Sequence, residues 1–228
     1  MKLWIDFETR SRVDLKKTGA WRYAEDKSTQ VICMAIATDH HSVIWVPSWA
    51  GMRRKHDSRV GDLWAHAVIE QATQIVAHNY DFERAIWEHI MYGRYGFPAI
   101  PTELWDCTMA RAAARCLPRS LEHLALALDV DEQKDAAAGK RLITQLCKPN
   151  KKTGRFNEDP EKYARLYEYC LQDNETTKAV DRALPPLSAD ERETFLLDAE
   201  INRRGVGVDR NAVAAIVSIL NCEAAKGN

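Results

Sequence analysis

The sequence predicts an α/β domain, a mixed β-sheet flanked by helices on both faces, with a helical extension at its C-terminal end. Three observations carry this. Residues 1–46 hold three strand-like apolar segments, residues 63–105 alternate between helical and strand periodicity, and from Asp106 onward the apolar spacing is mainly helical. Residues 2–6 form a short apolar strand and residues 30–38 a nearly continuous one, with a polar excursion between them. Residues 41–46 follow after the break Asp39-His40, as in a hairpin, so the chain starts as an antiparallel meander.

A polar stretch over residues 48–57 precedes helical spacing at Leu63, Ala67 and Ile69, and residues 74–77 read as a short buried strand. Phe82, Ile86 and Ile90 recur at i, i+4 and i+8 on a further helix that stops at Gly93 and Gly96, ahead of Pro98. Residues 103–105 suit a last strand, and residues 148–160 an irregular interruption between helices. Pro185-Pro186 ends a long helix and marks a boundary, dividing the chain into a domain over residues 1–186 and a helical extension over residues 187–228. In the extension, Ser188-x-x-Glu191 is a capping box and Arg203-Arg204-Gly205 a helix stop. Asp209 caps a final helix with Val213, Ile216, Val217 and Leu220 on one face, a stripe that needs a partner.

Composition narrows the function classes. Lys and Arg number 32 against 33 Asp and Glu, a net charge of −1, which excludes a histone-like basic protein and an acidic disordered tail. The longest apolar run, residues 31–37, is far short of the roughly 18–20 residues of a bilayer span. The start of the chain is strand-like rather than signal-like, so a cytoplasmic location without a membrane partner is expected. Cys33, Cys107, Cys116, Cys147, Cys170 and Cys222 form no C-x-x-C and no zinc spacing, and read as core thiols.

Three groups of acidic residues have spacings suited to chemistry. In Asp6-Phe7-Glu8 the two carboxylates project from one face of a strand end, which suits either a hard cation such as Mg²⁺ or Mn²⁺ or plain solvation. In Asn79-Tyr80-Asp81-Phe82-Glu83, Asn79 and Glu83 share a helix face, which favours Glu83 over its rival Asp81; Asn79 capping a helix with both acids on the surface is the alternative. Tyr169 and Asp173, at i and i+4, stack a phenol one turn from a carboxylate, an arrangement that also serves simple packing. Asp106 reads as a helix cap and His78 as a strand-end stabiliser.

Taken in order, D-x-E at a strand end, N-x-x-F-[D/E] after a later strand and Y-x-x-x-D on a late helix resemble the three motifs of the DEDDy 3′-to-5′ exonucleases. The similarity is to the proofreading domain of bacteriophage-type family A DNA polymerases. It also takes in Thr9, Asp14 to Lys17, Tyr23-Ala24, Ala77-His78, Trp105-Asp106-Cys107-Thr108 and Lys134-Asp135 through Gly139-Lys140, essentially residues 1–184. The segment Glu200-Ile201, Gly205-Val206 and Val208-Asp209 resembles the lead into a polymerase domain. Glu83 stands where the family usually has Asp, and Tyr169 marks the tyrosine subtype.

The resemblance implies an RNase H-like fold and a two-metal hydrolysis of the 3′-terminal phosphodiester of DNA that releases nucleoside monophosphates. Asp6, Glu8, Glu83 and Asp173 would hold two divalent cations, Mg²⁺ or Mn²⁺, and Tyr169 would orient the water. Thr9, Asn79 and Phe82 would line the terminal nucleotide. Residues 136–157 hold Lys140, Arg141, Lys148, Lys151, Lys152 and Arg155 and no acid, so Lys148, Lys151 and Lys152 would contact the phosphates of single-stranded DNA or a frayed 3′ primer end. A polymerase domain or subunit is the expected partner, in the host cytoplasm if the gene is a phage's. The alternatives are an RNA-trimming exonuclease of the same fold and a decayed DNA-binding or docking module.

Overall fold

The computed structural model describes residues 1–51, 59–130 and 136–226, so part of the polar stretch at 48–57 and the pair Lys134-Asp135 lie outside the described residues. The chain opens with β1 (Lys2–Arg10), α1 (Leu15–Glu25), β2 (Gln30–Ala37), β3 (Ser42–Trp45) and the short α2 (Ser48–Gly51). Next come β4 (Arg59–Val60), α3 (Asp62–Glu70), β5 (Gln74–Ala77) and α4 (Tyr80–Ile86), which runs through a π-helical stretch, Trp87–Tyr92, into α5 (Gly93–Tyr95). A 3₁₀ turn, Thr102–Leu104, leads into β6 (Trp105–Cys107), and helices follow: α6 (Thr108–Ala113), α7 (Leu121–Ala127), α8 (Ala136–Leu146), α9 (Pro160–Ala183), α10 (Ala189–Arg204) and α11 (Arg210–Lys226).

The six strands form one mixed sheet in the order β4-β3-β2-β1-β5-β6. β1, β2 and β3 are antiparallel neighbours, whereas β5 pairs with β1, β6 with β5 and β4 with β3 in parallel. This is the α/β, RNase H-like arrangement, a meander extended by parallel crossover strands with helices over both faces. Each face has its own core. Leu3, Ile5 and Phe7 of β1 point to one side with Ile86, Trp87, Ile90, Phe97 and Trp105. On the other side Cys33, Ala35 and Ile44 meet Leu146, Tyr163, Leu166, Tyr167 and Cys170 of α8 and α9.

Local chemistry accounts for the differences from the sequence expectation. β1 is longer than residues 2–6 because β2 pairs with it as far as Arg10↔Gln30. The polar excursion contains α1, which the apolar spacing concealed: only Tyr23 and Ala24 of this helix are buried, and its start is set by the Asp14 carboxylate accepting from the Lys16 amide at 3.1 Å. The last strand begins at Trp105 rather than Glu103, because Thr102 to Leu104 close a 3₁₀ turn first. Gly96, at φ 71°, makes the left-handed stop that the sequence indicated.

At the C-terminal end, the Ser188/Glu191 capping box opens α10, which buries Phe195 and Ala199 in the first core. The Asp209 carboxylate caps α11 through the Asn211 and Ala212 amides. Residues 201–226 are exposed throughout, Val213, Ile216, Val217 and Leu220 included. Among the described residues no helix is long and apolar enough to cross a membrane.

Helix α9 is bound to β1 by polar groups as well as by packing. Asn174 donates its side-chain amide to the Trp4 carbonyl at 3.0 Å. Asp181, almost fully buried, accepts from Trp4 Nε1 at 3.0 Å, pairs with Lys2 at 2.6 Å and pairs with Arg111. Arg111 also reaches Asp106 at 3.3 Å and is itself buried. Removing one partner of such a pair leaves a buried charge uncompensated, at a cost of about 3–5 kcal/mol. Asp181→Ala is therefore expected to lower unfolding free energy by about 3 kcal/mol or more, measured by urea denaturation; a loss below about 1 kcal/mol would contradict the structural role assigned to this pair.

Candidate active site

Strand alternation places Trp4, Asp6 and Glu8 on the face opposite Leu3, Ile5 and Phe7, the side on which α9 lies. The β1/β2 register shifts between Glu8 and Thr9, since Glu8 faces Cys33 but Thr9 faces Val31, leaving Ile32 as the extra residue of a bulge. A bulge re-aims the side chains that follow it. Helix α9 then sets its thiol Cys170 Sγ 3.4 Å from Asp6 Oδ2, and Cys147 Sγ, just past the end of α8, lies 4.0 Å from Glu8 Oε2.

With Cys170 seated on Asp6, its chain neighbour Tyr169 comes to the same place. The Tyr169 phenol is hydrogen-bonded to Asp173 one turn on, and burial together with the charges of Asp173, Glu8 and Asp6 pushes its pKa far up. It is a neutral hydrogen-bonding group at any physiological pH. Glu83, in the first turn of α4, is buried, and its Oε2 has no hydrogen-bond partner. Burial foremost, and then the charge of Asp6, hold its carboxyl well above the usual range, with Asp81 and Glu8 adding to the effect. Asp81 faces elsewhere: its carboxyl, raised mainly by burial, has Tyr80, Asp198 and Arg84 for neighbours. Two residues turn a helix by about 200°, which is why only one of the two acids meets β1.

Asp6, Glu8, Glu83, Asp173 and Tyr169, from three separate elements, are thus coupled electrostatically. Among the described residues no group of three or more His, Cys, Asp or Glu side chains is placed to hold a metal ion. Like charges placed this close repel, and each raises the proton affinity of the others. The donors are carboxylate oxygens, one of them an orphaned buried atom, and this chemistry suits hard divalent cations such as Mg²⁺ or Mn²⁺.

Beside the acids, Thr9 Oγ1 and the Tyr23 hydroxyl are hydrogen-bonded at 2.9 Å, and the Tyr23 ring lies 6.0 Å from that of Phe82. Tyr23 is a wall residue that the three acidic motifs did not single out, although Tyr23-Ala24 belongs to the wider stretch that carries the family resemblance. Asn79 is exposed in the left-handed conformation at φ 70°, which Asn tolerates better than most residues, and its side chain does not cap α4. His78 bridges Thr108 Oγ1 at 2.8 Å and the Arg119 carbonyl at 2.9 Å, tying the end of β5 to the start of α6. Asp106 is not a helix cap: it accepts from Gln74 and pairs with buried Arg111, while Cys107 holds the cap position of α6.

Lys148 and Lys151 line a cavity of about 600 Å³ with Arg155, Lys162 and Phe156, whereas Lys152 stands outside it. Its lining flanks Cys147, the thiol that touches Glu8, with Gln145 before it and Lys148 after it. Arg10 approaches the faces of both Trp49 and Phe156, with centroid distances of 4.1 and 4.7 Å.

Burial and the neighbouring carboxylates raise the pKa of Cys33, Cys147 and Cys170, so these thiols stay protonated and do not form a nucleophilic centre. Cys116 and Cys222, against the expectation of core thiols, are exposed, each on a helical surface or turn away from both cores.

No family model matches the chain. A curated protein described as a DNA polymerase, from Bacillus phage SP02, is 34% identical over 227 residues, a match covering 92% of this chain and 32% of that relative. The chain thus spans about a third of the length of the curated relative it matches.

Iodoacetamide should label only Cys116 and Cys222 in the folded protein and all six cysteines after denaturation, as read by intact mass. Rapid native labelling of Cys170 or Cys147 would show that the floor of the groove is open rather than packed against Asp6 and Glu8.

Proposed function

We propose that this chain is a 3′-to-5′ DNA exonuclease of the proofreading type, hydrolysing the 3′-terminal phosphodiester and releasing nucleoside monophosphates. The observation that supports the reading is the approach of α9 to the carboxylates of β1, with Cys170 Sγ, next to Tyr169, 3.4 Å from Asp6 Oδ2, together with the action of the Asp6 and Glu8 charges on Glu83 and Tyr169. The polymerase relative supports DNA as the substrate, a polymerase as the functional partner and the host cytoplasm as the setting.

In this reading Asp6, Glu8, Asp173 and Glu83 would together hold two divalent cations. Such a pair, when bound, lowers the pKa of a water molecule and neutralises charge on the leaving 3′-oxygen. The protein's own groups prepare the geometry. Tyr169, kept neutral, can donate to Asp173 and use its oxygen to accept from the attacking water, fixing the direction of approach. Thr9 and Phe82, joined through Tyr23, form a wall for the terminal nucleotide, and Asn79 offers an amide at the mouth of the groove. The cations of Lys148 and Lys151 continue the path outward for the phosphates, with Phe156 as an aromatic surface, and Lys152 adds charge at its rim.

Asp6→Ala and Asp173→Ala are expected to reduce release of mononucleotides from a single-stranded DNA oligonucleotide by about 10³-fold or more, with the far-ultraviolet circular dichroism unchanged. Retention of activity in either variant would overturn the assignment. An activity-independent measurement accompanies it: Mg²⁺ or Mn²⁺ should raise the melting temperature of the native chain and not that of Asp6→Ala. Faster trimming of RNA than of DNA of the same sequence would favour the RNA reading, and DNA binding without hydrolysis the docking module.

Charge reversal at Lys148 and Lys151 is expected to weaken binding of single-stranded DNA and to reduce the slope of log affinity against log salt by about 0.7 for each phosphate that is no longer neutralised. Equal affinity and slope in the variant would remove the cavity from the substrate path.

A further inference from the structure

The environment of Gly139 carries an inference that rests on the catalytic reading of Tyr169 and extends it. Helix formers surround this position: Ala136, Ala137 and Ala138 precede it, and glycine, next to proline the poorest helix former, interrupts them within α8. Its backbone does not need the left-handed region, which Gly19, Gly96, Gly154 and Gly205 occupy and Gly139 does not. What it lacks is space. A Cβ built at Gly139 would overlap the Tyr169 ring, 2.5 Å from Cζ, 2.6 Å from Cδ2 and closer still to Cε2. Among the described glycines, none of the others meets a side chain closer than 3.9 Å.

The contact is with the edge of the ring that includes Cζ, the carbon bearing the hydroxyl. That hydroxyl is bonded to Asp173. The ring thus has the backbone of α8 against one edge and a hydrogen bond at its hydroxyl, and together these restrict its torsional freedom.

We propose that Gly139 is a positioning residue for Tyr169: by allowing the backbone of α8 to lie against the ring, it sets where the phenolic oxygen stands above Asp173. A methyl group at 139 forces the ring to turn or α8 to withdraw by an ångström or more. Either displacement moves the oxygen that orients the attacking water, while the carboxylates of β1 keep their own supports.

The test is a double-mutant cycle in the full chain, with kcat on a single-stranded DNA oligonucleotide, oligonucleotide affinity in chelator, and melting temperature as readouts. Gly139→Ala is expected to lower kcat about 10- to 100-fold while affinity changes less than twofold. In a Tyr169→Phe background, where no hydroxyl remains to be positioned, the same substitution should lower kcat less than twofold further. Melting temperature provides the arm that does not depend on activity: Gly139→Ala should lower it in the presence of Tyr169 and leave it unchanged or raise it in a Tyr169→Ala background, where the methyl group has room. If Tyr169→Phe itself leaves kcat unchanged, the catalytic reading of the site is overturned and the proposal with it. If Tyr169→Phe lowers kcat but Gly139→Ala does not, or lowers it equally in both backgrounds, the assignment of Gly139 alone is overturned.

Discussion

Helix α9 is fastened across β1, and the placement of the groove's acidic side chains depends on that fastening. Asn174 grips the Trp4 carbonyl, Asp181 gathers Trp4, Lys2 and Arg111, and Cys170 rests on Asp6. The anchors alternate along the helix with Tyr169 and Asp173, so the residues that bind the helix to the sheet also aim the residues that face the groove. The arrangement is costly, because a buried guanidinium and carboxylate must be desolvated before they attract one another. Its benefit is positional: an apolar contact tolerates sliding, whereas a carboxylate held by three donors does not.

The same balance governs the groove. Burial foremost raises the proton affinity of Glu83, on α4, and the neighbouring carboxylates add to this. The fold sustains that repulsion on the strength of its two cores, one on each face, which are built from large fully buried side chains such as Trp87, Trp105, Tyr163 and Tyr167. Neutral thiols, not ionised ones, floor the site, and so no further negative charge is added beneath Asp6 and Glu8.

Much of the architecture was legible in the residues themselves because it rests on local periodicity. The strand at residues 74–77 was read at its observed bounds, Ser188 and Glu191 announced the start of α10, and Gly96 announced a stop. Helix α1 was not legible, since its two buried residues leave too weak an apolar pattern and its cap, Asp14, looks like any polar loop residue. Asp106 was misread for the opposite reason. A carboxylate just before a helix is usually a cap, but here a guanidinium five residues later offers a stronger partner, and the cap falls to Cys107.

What the sequence alone determined are the properties carried by neighbours within a few residues: the strands and helices whose apolar period is strong, and that Asp6 with Glu8, and Tyr169 with Asp173, share a face. What only the tertiary structure decided is which of these groups feel one another. The turn of α4 away from β5 delivers Glu83 rather than Asp81 to Asp6, the bulge at Glu8 and Thr9 re-aims the wall, and Gly139 meets the Tyr169 ring across two helices. Those encounters join residues from separate elements, and the distances between them are set by packing, which no spacing along the chain encodes.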